Sequence, residues 1–342
     1  MEAIILAGGF GTRLRPFTYT RAKCLLPILN KPMIQYLIDS LPDEVDTVIL
    51  AVNYRKEQIE SYFSTHPCEK EIIINNEPEP LGTGGAVKFA EKHITGPFFV
   101  LNADVISSLN LVDMMRFHHR KKAFTTISLW PVENVSEFGV VNMKKDGNVI
   151  GFVEKPKPED APSNLINAGA YLLNNTVLEY IPTGRLVSME KEIFPLIIKN
   201  TKKFYGYQIK GYWIDVGRIP SYIDVNKMLL QKQGLKNLQG ENCAVHGELI
   251  NTCIGNHVRI GHNSTLNSCI IFDHVTIGEN VHLGNCIIGE NCVIEHNSNL
   301  IITAIGDNEH IKQNTRLENA IIWTQPIPPG YPKKQIGNVI GE

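Results

Sequence analysis

From residue 3 to about residue 130, short apolar runs alternate with segments whose apolar positions recur every three or four residues. The runs at 3–7, 47–52, 72–74 and 98–101 predict strands, and 55–65 predicts a helix. Asn30-Lys31-Pro32 predicts a helix start with Pro32 in the first turn, followed by an apolar face of Met33, Tyr36, Leu37 and Leu41. Leu81-Gly82-Thr83-Gly84-Gly85 predicts a glycine loop leading into a helix over 86–93. Strands separated by helices imply a mostly parallel sheet with helices on both faces. Ligands of such sheets gather at the carboxyl ends of the strands, where 8–13, 77–85 and Asp104 fall.

From 124 to 173 the pattern shifts to strands at 124–129, 139–143, 149–153 and 165–173, which predict a mixed extension covering the open face of the first sheet. A helix at 188–200, a strand at 211–217 ending in an acid, and a helix at 219–232 follow, and Gln233-Gly234 marks a boundary. Beyond it, Ile or Leu stands at 254, 260, 266, 271, 277, 283, 288, 294, 300, 305, 311, 317 and 322. The steps of 6, 6 and 5 repeat four times, a period of 17. One inward apolar residue per short strand, three strands per coil and glycine-assisted turns describe a hexapeptide β-helix. The expected organisation is a catalytic domain at 1–232, a linker at 233–242, coils at 243–323 and an extended tail at 324–342, whose prolines prevent it from continuing the coils.

Composition narrows the function classes. Hydrophobic residues make up 43% and charged residues 20%, the balance of a globular protein of about two domains. A net charge of −2 supplies no basic field for nucleic acid, and no apolar run approaches a membrane span. No basic n-region precedes the first strand, so no cleaved leader is expected. The seven cysteines form no zinc-ligand spacing, and five fall in the repeat, which implies reduced thiols and a cytoplasmic protein.

The candidate chemistry follows the first strand. Gly8, Gly9 and Gly11 let the backbone approach a bulky group, with Thr12, Arg13 and Arg15 next and Lys23 about ten residues on. Backbone amides beside guanidinium and ammonium groups suit a polyphosphate. The loop is not a dinucleotide fingerprint, since Leu14 stands where the third glycine belongs, and it lacks the Gly-Lys-Ser/Thr of a Walker A loop. His118-His119 precedes three basic residues and reads as the solvated end of a helix.

GGFGTRLRPFT followed by KCLLPILNKPM resembles the signature of the sugar-nucleotide pyrophosphorylases, and LGTGG, LNADV, FGVV, FVEKP, INAGAYLL, MEKEIFP and GYWIDVG extend the resemblance in order. Within that nucleotidyltransferase family the motifs look most like the GDP-mannose-forming branch. The resemblance implies an α/β fold, a Rossmann-like nucleotidyltransferase domain with a mostly parallel mixed sheet, followed by a left-handed parallel β-helix. It implies that Arg13 acts on the triphosphate and Lys23 at the α-phosphate, and that Asp104 and Asp215 hold Mg²⁺. It implies nucleotide contacts from Leu6, Ala7, Gly8, Gly9, Gly11, Thr12, Glu77, Gly82 and Thr83. It assigns Lys155 to the sugar phosphate, and Glu154, Asn167 and the Gly139 backbone to the sugar hydroxyls.

In uridylyl and thymidylyl relatives the position matching Glu77 is commonly Gln. A carboxylate only accepts hydrogen bonds, which suits the two adjacent donors of guanine and opposes the carbonyls of uracil or thymine. The expected reaction is GTP plus mannose 1-phosphate giving GDP-mannose and pyrophosphate, with no nucleic-acid or membrane partner and with homo-oligomers forming through coil edges. Three other readings stay open: a glucose-1-phosphate uridylyl- or thymidylyltransferase, a bifunctional uridylyl- and acetyltransferase using a coil histidine, and a non-catalytic regulatory paralogue.

Overall fold

The computed structural model describes residues 1–332 and the strand Val339–Ile340. The chain forms two compact units, residues 1–9 with 34–214, and residues 10–33 with 215–342. This division differs from a cut at 232, since 10–33 and 215–232 group with the coils.

In the first unit the strands Phe98–Asn102, Glu2–Leu6, Thr47–Val52 and Glu71–Asn76 form, in that order, the parallel part of a nine-stranded sheet, with Glu71–Asn76 at its edge. The 124–173 region departs from expectation. Leu165–Leu173 pairs antiparallel with Phe98–Asn102, and Thr125–Pro131, Gly139–Met143 and Val149–Glu154 continue the same sheet. These strands widen the sheet and do not cover a face, because Leu165–Leu173 pairs with the free edge of Phe98–Asn102 and the others pair onward from it. The core beneath gathers Ile4, Val100, Ile127, Tyr171, Phe194 and Phe204, all 0% exposed.

Two local readings change. The helix Gly82–Phe89 begins at the glycines themselves. Val187 carbonyl accepts the amides of Gly84 (2.8 Å) and Gly85 (3.3 Å), and a Cβ at Gly82 would lie 2.6 Å from that oxygen. The glycines therefore admit a neighbouring backbone to the helix's first turn. His118 is 3% exposed, not solvated: it belongs to the buried stripe Leu111, Met114, Met115 and His118 of the helix Leu111–Lys121. Its Nδ1 lies 2.8 Å from Thr126 Oγ1.

Burial, with His119 alongside, pushes the His118 pKa down from 6.5 to about 4. A depressed folded-state pKa means that the contribution is present above the unfolded value and lost as pH falls through the folded one. Urea unfolding should therefore show a loss approaching about 3 kcal/mol between pH 7 and pH 4 from this group. The pH slope should flatten in His118→Gln, and an unchanged slope in that variant would remove His118 as its source.

In the second unit the 17-residue period appears as three all-parallel sheets. Ile254, Ile271, Ile288, Ile305 and Ile322 pair in register down one sheet. Ile260, Ile277, Ile294 and Ile311 do so down the second, and Leu266, Leu283, Leu300 and Leu317 down the third. These side chains form the interior, with Leu317 partly buried at the last coil. The left-handed corners are made mainly by asparagine, not by glycine. Asn263, Asn280, Asn297 and Asn314 have φ of 58, 54, 60 and 62°, and their side-chain amides form a ladder of 3.3 Å steps. The coil glycines serve stacking instead: a Cβ at Gly261 would lie 2.7 Å from the Gly278 carbonyl carbon in the next coil.

Both predicted coil boundaries move. Leu238–Gln239 already pairs with Cys253–Ile254, so the first rung lies inside 233–242. At the other end Val339–Ile340 pairs with Ile321–Ile322, continuing a sheet past the prolines. Residues 333–338 and 341–342 of the predicted tail lie outside the described residues.

Residues 10–33 pack on this scaffold. Phe17 meets Phe272 at 5.5 Å and Tyr19 meets Trp323 at 5.0 Å, while Thr20 donates to Asp307 and Arg21 pairs with Glu290, each at 2.6 Å. Pro32 closes a small hairpin rather than opening a helix. Pro27–Ile28 pairs with Lys31–Pro32 across Leu29 and Asn30, whose φ of 46 and 60° make a tight left-handed turn, and the next helix is Met33–Ser40. The helix Ile219–Lys232 supports the hairpin, with Asn226 Oδ1 accepting the Leu29 amide at 2.9 Å.

Candidate functional site

In the first unit, a cavity of about 330 Å³ opens at the carboxyl ends of the parallel strands. Of the residues singled out in the sequence, Leu6, Gly8, Gly9, Glu77, Gly82, Thr83 and Asp104 line it. Asn53, Pro80 and Asn102 also line it and were not singled out from sequence, although Asn102 stands within the LNADV motif. Ala7 is 7% exposed and its amide donates to the Ala51 carbonyl at 2.9 Å, fixing the strand exit.

Glu77 is 6% exposed. Its Oε2 accepts the Leu81 amide at 3.1 Å, and among the described residues Oε1 has no hydrogen-bond partner. Burial raises its pKa, and the Leu81 bond opposes the shift. At the wall of the cavity, Glu77 Oε1 is an accessible acceptor able to take a donor from a ligand there. The Thr83 hydroxyl is turned away to other work, donating to Glu190 Oε2 at 2.7 Å and accepting the Met189 amide at 2.9 Å.

Farther along the same unit, Glu154 ends a strand beside Gly139, whose absent Cβ would fall 2.8 Å from Glu154 Oε2. Only glycine leaves that approach open. Burial raises the Glu154 pKa, Glu190 adds to the shift, and Lys155 and Lys191 oppose it. Lys155 extends into solvent from a left-handed backbone (φ 49°), its Nζ 4.0 Å from Glu154 Oε1. Asn167 Nδ2 donates to the Tyr171 hydroxyl at 2.8 Å, and that hydroxyl donates to Glu190 Oε1 at 3.3 Å. Tyr171 and Glu190 thus orient Asn167. They sit within INAGAYLL and MEKEIFP, so the motifs held a signal, but their roles needed the fold.

The second unit carries the basic residues. Gly11 has φ of 64°, and a Cβ there would meet Thr18 Cγ2 at 2.7 Å and the Lys23 Cβ and Cγ at 3.3 Å. The Lys23 stem therefore runs against the loop at its glycine. Thr12 and Arg13 follow in the turn Thr12–Leu14. Arg13 Nη2 and both carboxylate oxygens of Asp215 converge on Gly217, at 2.9 and 3.1 Å from the position its Cβ would take. Arg15, grouped with these cations in the sequence, is instead 4% exposed and donates to the Pro332 carbonyl.

The donor chemistry fits a hard divalent cation. Asp104 in the first unit and Asp215 in the second each carry carboxylate oxygens of the kind such a cation takes, and among the described residues no group of three or more His, Cys, Asp or Glu side chains could hold a metal ion. A metal bound through one or two carboxylates, with substrate phosphates completing its shell, needs no such cage.

The nucleotidyl transferase family model matches residues 2–232, and the GMPPB C-terminal domain model matches 240–327. The chain is 44% identical over 234 residues to probable mannose-1-phosphate guanylyltransferase 2 of Arabidopsis thaliana, covering 65% of this chain and 63% of that protein. It is 38% identical over 258 residues to mannose-1-phosphate guanylyltransferase catalytic subunit beta of Dictyostelium discoideum (73% and 70%). It is 37% identical over 236 residues to bifunctional protein GlmU of Methanococcus maripaludis (68% and 55%). The chain thus spans 63% of the Arabidopsis protein's length and 55% of the GlmU protein's. Among solved structures, HddC from Yersinia pseudotuberculosis complexed with GMP-PN is similar at 30% identity and TM-score 0.55, covering 67% of this chain and 99% of that one. UDP-glucose pyrophosphorylase complexed with UDP-glucose is similar at 25% identity and TM-score 0.61 (68% and 98%). Nucleotidyltransferases of this family generally use a divalent metal. No helix among the described residues is long and apolar enough to cross a membrane. The family model spans both the strand-end cavity and the segment of Arg13 and Lys23, and this chain belongs to the nucleotidyl transferase family.

Proposed function

We propose that the protein transfers a guanylyl group from GTP to mannose 1-phosphate, releasing pyrophosphate and forming GDP-mannose. The observation that carries the choice of base is Glu77, a buried carboxylate with one oxygen open in the cavity. Guanine supplies two adjacent N–H donors to such an acceptor, and uracil or thymine would present a carbonyl to it. The names of the plant and Dictyostelium relatives, and the GMP-PN complex of the HddC structure, support the same reading.

The sugar-phosphate oxygen attacks the α-phosphorus and pyrophosphate leaves, so the protein's task is to align two polyanions and offset their charge. Gly8, Gly9, Gly11 and Thr12 offer backbone approach to the phosphates. Arg13 neutralises the triphosphate, and Lys23 stabilises charge growing at the α-phosphate. Lys155 grips the sugar phosphate, while Glu154, Asn167 and the Gly139 backbone bind sugar hydroxyls. Mg²⁺, when bound, would neutralise phosphate charge, and Asp104 and Asp215 are the residues that would hold it. Seven free thiols suit a reducing compartment, and we expect a cytoplasmic homo-oligomer.

Pyrophosphate release, measured for each NTP paired with mannose, glucose or N-acetylglucosamine 1-phosphate, tests the reading. Turnover is expected with GTP and mannose 1-phosphate. Turnover with UTP or dTTP and none with GTP would overturn the guanine assignment. Acetyl transfer from acetyl-CoA to glucosamine 1-phosphate would move the protein to the bifunctional reading suggested by the GlmU relatives.

A further inference from the structure

The loop that carries Gly11 and Arg13 is held from a position 321 residues away in sequence. Tyr331 is 5% exposed. Its hydroxyl donates to the Phe10 carbonyl at 3.0 Å and lies 2.8 Å from Thr18 Oγ1. Thr18 Oγ1 in turn donates at 2.9 Å to the Gly11 carbonyl, which also accepts the Leu14 amide at 2.8 Å. Two hydroxyl hydrogens are thus shared over three short contacts. The Tyr331 ring packs edge-on against Tyr19 at 4.9 Å and Phe10 at 6.0 Å. The Arg15 guanidinium lies 4.8 Å from the ring centroid while donating to the Pro332 carbonyl.

This arrangement fixes two consecutive peptide planes. In a planar trans peptide the N–H points opposite the C=O. Holding the Phe10 and Gly11 carbonyls toward Tyr331 and Thr18 therefore turns the Gly11 and Thr12 amides to the other side. Among the described residues, none of the amides of Gly8, Gly9, Gly11, Thr12 and Arg13 donates a hydrogen bond. Amides that face one way without an internal acceptor are suited to an anion. A loop of three glycines in four positions has little intrinsic preference for that orientation, so an external brace must supply it.

We propose that Tyr331 is a positioning residue for the transferase reaction, presetting the phosphate-facing amides of the loop through its hydroxyl and Thr18. The proposal rests on the transferase reading above. It predicts a loss expressed mainly in kcat and in KM for the NTP, while KM for the sugar phosphate stays as it was. Tyr331→Phe keeps the ring contacts and removes only the hydroxyl.

The experiment compares full-length wild type, Tyr331→Phe, Thr18→Val, Thr18→Ser and the Tyr331→Phe/Thr18→Val double variant. Steady-state kinetics and substrate-free amide hydrogen exchange over 8–13 are the readouts. The expected result is a loss of about tenfold or more in kcat/KM for the NTP in Tyr331→Phe, since loop misplacement of an ångström can cost about a hundredfold. Thr18→Val should reproduce that loss, the double variant should be no worse than either single one, and Thr18→Ser should restore activity. Amide exchange over 8–13 should accelerate in Tyr331→Phe, an outcome independent of which reaction the enzyme catalyses. Unchanged exchange, additive losses, or a lowered Tm with unaltered kcat would overturn the proposal. Faster exchange alongside a wild type that turns over no NTP would leave the loop brace standing and sink the transferase reading, and with it the positioning role in that reaction.

Discussion

Lys23→Ala is expected to lower kcat by about 10²–10³-fold while leaving the fold intact. Displacement at the α-phosphorus builds charge on non-bridging oxygens and on the departing pyrophosphate. Removing one preorganised donor from such a site costs about 3–4 kcal/mol of transition-state stabilisation. The Lys23 stem passes against Gly11, where a Cβ would lie 3.3 Å from the lysine's Cβ and Cγ, so the loop and the stem lie side by side. Lys23→Arg should recover little of the loss, because a planar guanidinium on a different stem cannot take the place of a compact ammonium there. Rapid-quench measurement of the chemical step, with thermal unfolding as the control, checks this. A kcat unchanged in Lys23→Ala would remove the residue from the chemistry.

Glu77→Gln should shift base preference away from guanine by about 10²-fold in the ratio of kcat/KM values for GTP and UTP. A site built to accept hydrogen bonds rejects a ligand that presents a carbonyl, since both acceptors are left buried and unpaired. Glutamine retains one carbonyl oxygen to accept the Leu81 amide, so the helix start at Gly82 should stay in place. The same residue sets a pH signature. Its ionised form is the better acceptor, and burial raises its pKa above the ordinary carboxylate value. GTP use should therefore decline on acidification sooner than an ordinary carboxylate would cause, and Glu77→Gln should lack that limb. For stability the sign is opposite. A raised folded-state pKa gives a contribution that is complete below the unfolded value and lost as pH rises through the folded one. Glu77→Gln should thus unfold at the same or higher temperature at neutral pH. A variant that keeps its GTP preference would sink the role of Glu77 in reading the base.

Where local chemistry alone sets a structure, the sequence was legible. The strand at 47–52 and the helix at 219–232 form at those bounds, because an unbroken apolar run and a helical period each need only their own residues. The coil interior was legible for the same reason: one Ile or Leu per short strand repeats until it can only stack. Misreadings arose where a distant segment intervenes. Gly82, Gly84 and Gly85 looked like a loop but make room for the Val187 backbone. His118 looked solvated beside Arg120 and Lys121, yet one face of its helix turns it inward to Thr126. Arg15, which the sequence groups with the cations after the glycine loop, is bound to the Pro332 carbonyl.

The candidate site divides along the same line. The sequence by itself determined the family, the alternation of strands and helices in the first 130 residues, the 17-residue coil, and the residue types able to handle a polyphosphate. Those are properties of spacing and side-chain chemistry, which a linear chain carries in full. Only the tertiary structure decided that Glu77 is buried with one oxygen open, that Tyr171 and Glu190 orient Asn167, and that Tyr331 holds the Phe10 carbonyl. Each of these depends on burial or on a hydrogen bond between residues remote in sequence, and desolvation and contact exist only once the chain has closed on itself.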